Sequence, residues 1–142
     1  MLRPCDGVRL LPLAPSGYKR CVPFRSMLSS LVERAPGARG AVFCDYEGEF
    51  VALVVRDPLL SEYDLKVFGA QLAAAWLDLE NHSTERGAGG IVELRLGCAG
   101  GTLLCRALRD GYYVVLVIES GRPSAHAAFE LCHTAAEIAA AL

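Results

Sequence analysis

An α+β fold is what this sequence predicts, and three observations carry the prediction. Helical periodicity occurs three times, near residues 23–35, 61–81 and 123–142. Between these stretches lie apolar runs of strand length. The runs are joined by turn sequences such as Asp110-Gly111, which close antiparallel hairpins. The expected order is helix, two strands, helix, three strands, helix.

Residues 1–21 hold three prolines, two glycines and no sustained period, so they read as an N-terminal arm or partly disordered leader ahead of one domain at 22–142. From Pro23, at a first helical position, Phe24, Met27, Leu28, Leu31, Val32 and Ala35 follow a helical period, and Pro36-Gly37 ends it. Gly40 to Asp45 is apolar on both faces and is expected as a central strand. Tyr46-Glu47-Gly48 turns it into a second strand at Phe50 to Arg56. His82 to Gly90 has the composition of a mobile surface loop. Ile91 to Leu96 alternates like a half-exposed edge strand. A turn at Gly97 to Gly101 leads to a strand at Thr102 to Leu108, and Tyr112 to Glu119 is the most continuously apolar run. The last helix, Pro123 to Leu142, packs Leu131, Ala135, Ile138 and Leu142 on one side and shows His126, Glu130, His133 and Glu137 on another.

The helix at Ser61 to Asn81 organises the rest. At 100° per residue, Leu65, Phe68, Leu72, Ala75, Trp76 and Leu79 form one stripe, expected on the core. Roughly opposite lie Lys66, Val67, Ala70, Ala73, Ala74 and Leu77, a second face that is small and apolar. It is covered either by the chain itself or by a helix of another subunit, where small residues allow close approach. Ser61 followed by Asp64 resembles a capping box and marks the helix start.

At 142 residues one domain can bury a core without staples. With 53% hydrophobic residues and fourteen glycines besides, the chain is more apolar than ordinary, and the excess needs cover. No run approaches a membrane span, and VRLLPLAP is too short and Pro-broken for a signal peptide, so a cytoplasmic protein is expected. A net charge of −2 without a basic cluster argues against nucleic acid. Six scattered cysteines without a C-x-x-C pair read as reduced thiols.

No constellation of residues points to an enzyme, a cofactor or a metal. The His126, Glu130, His133, Glu137 stripe has the spacing to hold a divalent cation, but a solvated face needs nothing more than i,i+3 and i,i+4 pairing to explain it. Cys132 and His133 point about 100° apart and make no catalytic pair. The glycines at 97–101 lack both the Walker Lys-Ser/Thr and a following helix. Ser124 is read as a helix cap, not a nucleophile.

Order and spacing together give a resemblance. The short helix is followed by Pro36-Gly37-Ala38-Arg39-Gly40-Ala41 and Asp45-Tyr46-Glu47-Gly48. Then come the long helix with Leu65, Phe68, Leu72 and Ala75, and Asp110-Gly111-Tyr112-Tyr113-Val114-Val115-Leu116 before an Ala-rich last helix. This pattern resembles the Roadblock family, the dynein-light-chain and GTPase-regulator domain of profilin-like fold, and within it the bacterial regulators of cell polarity and motility. The resemblance implies a three-layer α/β/α arrangement: a five-stranded antiparallel sheet between the long helix on one face and the terminal helices on the other. It implies a homodimer, or a heterodimer with another Roadblock protein, made by pairing the long helices and joining edge strands. Lys66, Val67, Ala70, Ala73, Ala74 and Leu77, with Glu93, Arg95 and Leu96, then lie at the dimer or partner interface. It also implies a Ras-like small GTPase as partner, whose hydrolysis is stimulated without a donated side chain. A scaffold or motor light chain of the same fold, without effect on turnover, is the alternative. Arg56 and Arg86 are the two arginines placed to reach a docked partner.

Overall fold

The structure, a computed structural model, describes residues 23–142, so the arm expected at 1–21 lies outside the described residues. The elements are α1 (Phe24–Arg34), β1 (Ala38–Cys44), β2 (Phe50–Val55), α2 (Glu62–Glu85), β3 (Glu93–Cys98), β4 (Gly101–Ala107), β5 (Tyr113–Glu119) and α3 (Ala125–Ala141). This is the expected order. The strands form one antiparallel sheet in the order β2-β1-β5-β4-β3, with β5 central and β3 at an edge.

Two apolar layers sandwich the sheet. On one face Leu28, Leu31 and Val32 of α1 and Ala127, Leu131 and Ile138 of α3 pack on Phe43, Leu104, Val114, Leu116 and Ile118. On the other, Leu65, Leu72 and Trp76 of α2 pack on Val42, Leu53, Cys105, Tyr113, Val115 and Val117. Alternate residues of β1 and β5 serve the two layers, which is why both runs are apolar throughout. Each layer buries side chains worth about 1.5–3 kcal/mol apiece. Arg34 ties α1 to α3, donating to Glu130 at 2.8 Å and to the buried Thr134 at 3.2 Å.

The Asp110-Gly111 turn forms as its composition demands. Asp110 has φ 59° and ψ 28°, Gly111 has φ 80°, and the Tyr112 N–H closes the turn on the Arg109 carbonyl at 3.2 Å. These are the left-handed angles of a type I′ hairpin turn, which Asp and Gly tolerate better than other residues.

Several boundaries differ from expectation. α2 runs to Glu85, four residues beyond Asn81, so half of the stretch expected as a loop at 82–90 belongs to the helix or its cap. The extension carries only polar side chains, so no apolar period marked it; the helix ends before Gly87, at φ 85°. β3 lies at Glu93–Cys98 instead of Ile91–Leu96, because Gly97 and Cys98 pair with Thr102 and Gly101 across a two-residue turn. β1 begins earlier, at Ala38, where a bulge keeps it paired with Ile118. Ser124 occupies the N-cap position of α3 but makes no capping hydrogen bond, whereas Ser61 Oγ accepts from the Asp64 N–H at 2.9 Å.

Candidate partner-binding surface

α2 is seated on the sheet by contacts of small dimension. Gly69 faces Cys44 so closely that a Cβ there would lie 2.7 Å from the sulfur. The Tyr113 hydroxyl donates to the Gly69 carbonyl at 2.6 Å. Trp76 stacks on Tyr113 with ring centroids 5.9 Å apart and donates to Glu80 at 3.0 Å. The buried stripe of α2 is therefore Leu65, Gly69, Leu72 and Trp76, at alternating steps of four and three.

This corrects the expected core stripe. Phe68, Ala75 and Leu79 are exposed. A helix lying on a flat sheet buries only a narrow arc, and these three stand beyond it on one flank. The opposite flank meets the β1–β2 hairpin: the Lys66 ammonium sits 4.2 Å from the Phe50 ring centre, and the turn at Gly48 abuts Ala70 and Ala73. Since β2 and β1 lie on that side, Phe68, Ala75 and Leu79 are turned toward β4 and β3.

The residues expected at an interface are thus divided. Lys66 and Ala73 are half-buried against the hairpin and Val67 is half-buried on the outer side of the helix, while Ala70, although touched by the turn, stays exposed with Ala74 and Leu77. Glu93, Arg95 and Leu96 are exposed on β3. Glu93 pairs with Arg95 at 2.7 Å and with Arg106 at 3.3 Å on the sheet face away from α2. Leu96 lies on the α2 face, in the same alternation as Leu94, which packs on that core layer.

Together these elements leave a large apolar surface open. Phe68 is 39% and Leu79 44% exposed on α2, and Val92 is 64% and Leu96 39% exposed at or beside β3, while Leu77, 63% exposed, stands one turn on from Ala73 on the other flank of the helix. Beside them runs the outer edge of β3, which among the described residues pairs only with β4. The other edge of the sheet is guarded, since Arg25 of α1 donates to the Leu53 carbonyl of β2 at 2.8 Å. Phe68, Leu79 and Val92 are the members of this surface that periodicity alone misses. A signal was present in Gly69, which the expected stripe leaves out although it lies between Leu65, Leu72 and Trp76 on the helix face and marks the line of contact.

The chemistry elsewhere is quiet. Burial pushes the Cys44 and Cys105 thiols up to about 12, so neither is a thiolate at neutral pH. Cys98 and Cys132 are exposed, and all four described cysteines are free thiols. His126 pairs with Glu130 at 3.3 Å and His133 with Glu137 at 3.7 Å, and Arg34 already occupies Glu130. Among the described residues no three candidate ligands gather around a common point, and no helix is long and apolar enough to cross a membrane. Arg86 caps α2 at its exposed end, whereas Arg56 is turned to α1, donating to the Val32 carbonyl at 3.0 Å.

This layering and topology define a Roadblock fold. The chain is similar to a Roadblock/LC7 domain from Streptomyces avermitilis, at 15% identity and a TM-score of 0.70, over 80% of this chain and 92% of that one. It is similar to MglB of Myxococcus xanthus, at 10% identity and a TM-score of 0.74, over 83% and 93% of the two chains. The gliding protein MglB of Thermus thermophilus superposes with a TM-score of 0.74 at 15% identity, over 82% and 86%. No family model matches the sequence, and no curated protein does.

Proposed function

We propose that this protein is a dimeric, non-enzymatic binding module that regulates a Ras-like small GTPase. The observation that carries the reading is the set of exposed apolar side chains on one flank of α2 and on β3, open among the described residues beside the outer edge of the sheet. Monomers seldom expose such a patch, and an open strand edge invites a further strand. A second copy related by a two-fold axis answers both needs, since β3 then meets β3 and the Phe68, Ala75 and Leu79 flanks of two α2 helices face each other. The outward ridge of Val67, Ala70, Ala74 and Leu77 would lie across the paired helices, partly in the helix pair and partly open to the GTPase. The similarity to two MglB structures supports this choice among functions of the fold.

Such a module works by ordering the GTPase's own catalytic groups, because nothing on this surface is a poised donor. The test is turnover of a Ras-like GTPase encoded beside this protein or co-purifying with it, measured with and without saturating protein. Accelerated hydrolysis supports activation. Tight binding with unchanged turnover would make the protein a scaffold, and absence of binding would reject the GTPase as partner.

A further inference from the structure

Where β1 begins and β2 and β5 end, an open cavity of about 290 Å³ is lined by Arg39, Arg56 and Arg122 together with Asp57 and Glu119. We propose that this cavity is a binding site for a tetrahedral oxyanion of the phosphate class. Each guanidinium is aimed by a single bond that leaves other donors unused. Arg39 donates from Nε to Asp57 at 2.7 Å, Arg122 from Nε to Glu119 at 2.8 Å, and Arg56 from one terminal nitrogen to the Val32 carbonyl at 3.0 Å. Both terminal nitrogens of Arg39 and of Arg122, and the Nε and second terminal nitrogen of Arg56, have no partner among the described residues.

The charge balance agrees. Both oxygens of Asp57 are engaged, one by Arg39 and one by the Leu59 N–H at 2.8 Å. Those two contacts hold its carboxyl below the usual range, so it stays ionised and continues to orient Arg39. Glu119 is matched to Arg122, while Arg56 faces no carboxylate partner among the described residues, which leaves one uncompensated positive charge at the cavity. In a chain of net charge −2 this is a local concentration, not a share of general basicity. Planar forks with parallel donors fit a phosphate oxygen pair better than a point cation does. The cavity is also larger than one phosphate needs, leaving room for whatever carries it. Nothing in the α2–β3 surface uses these residues.

Titration calorimetry at low ionic strength, with inorganic phosphate and separately with a phosphoserine tetrapeptide, tests this on the full chain. Saturable binding is expected, weakened about tenfold or more by Arg56→Ala, less by Arg56→Lys, and not at all by Arg109→Ala, whose guanidinium lies at the other end of the sheet. The tighter of the two ligands identifies the source as free anion or phosphorylated side chain. Arg122→Ala, checked by thermal melting alongside the others, gives the same reading if Arg56→Ala folds poorly. Failure of both ligands to saturate, or equal binding by wild type and the cavity variants, would overturn the proposal.

Discussion

Gly69 is the residue on which two opposing magnitudes can be weighed. Exchange of a helical glycine for alanine favours the helix by about 0.8–1.0 kcal/mol. Here the new methyl would meet the Cys44 sulfur at 2.7 Å, and overpacking of that kind costs roughly 1–3 kcal/mol. Gly69→Ala is therefore expected to lower stability, as read by denaturant midpoint; a gain would mean that α2 does not sit this close to β1. Trp76→Ala removes the ring stacked on Tyr113 and should cost about 3–5 kcal/mol. Glu130 gives a pH signature. Hydrogen bonding to Arg34 lowers its pKa below the ordinary 4.5, so it contributes stability fully above 4.5 that is lost as pH falls through the lower folded value. Thermal melts of Glu130→Gln between pH 2 and 5 should accordingly show a shallower acid decline than wild type, and parallel curves would remove Glu130 from the account.

At the scale of elements, the strands were the most legible part of the chain. β5 is apolar on both faces because two layers cover it, and β3 alternates because its sheet face away from α2 holds Glu93 and Arg95 in water. The Asp110-Gly111 turn was equally plain, since few other residues accept its angles. The core line of α2 was read too wide. Periodicity reports which side chains are apolar, not what covers them, and Phe68 and Leu79 are apolar on a flank that the chain's own sheet does not reach. The helix end at Glu85 left no trace in the pattern because His82 to Glu85 are all polar and none of them is buried in the core. Of the open surface, Leu96 was nameable from sequence, whereas Phe68, Leu79 and Val92 were not, and the division of the α2 residues between the hairpin side and the open side needed the strand order. That division makes a prediction. Leu79→Glu and Leu96→Glu, on the open side, should each weaken self-association about tenfold or more, the equivalent of one leucine kept from burial. Ala73→Ser, on the hairpin side, should leave it unchanged in the same concentration series. A strong effect of Ala73→Ser alone would turn the interface around.

At the scale of the whole molecule, the proposed dimer explains the apolar flank of α2 and β3, since a second chain would close it. Regulation of a GTPase follows from that surface only through docking, so the expected mechanism carries a size limit. A donated arginine is worth on the order of 10³–10⁵ in turnover. Arg86→Ala, at the exposed end of α2, should instead weaken docking at most, with full stimulation recovered at saturating protein; a several-hundredfold loss at saturation with unchanged affinity would make this protein a donor of catalytic chemistry. The prior question is association itself. Sedimentation equilibrium at low micromolar concentration should give twice the 15.2 kDa chain mass for wild type and the single-chain mass for the Leu79→Glu, Leu96→Glu double variant, with the variant's circular dichroism unchanged. A wild-type protein that sediments only at 15.2 kDa would contradict the account at its centre.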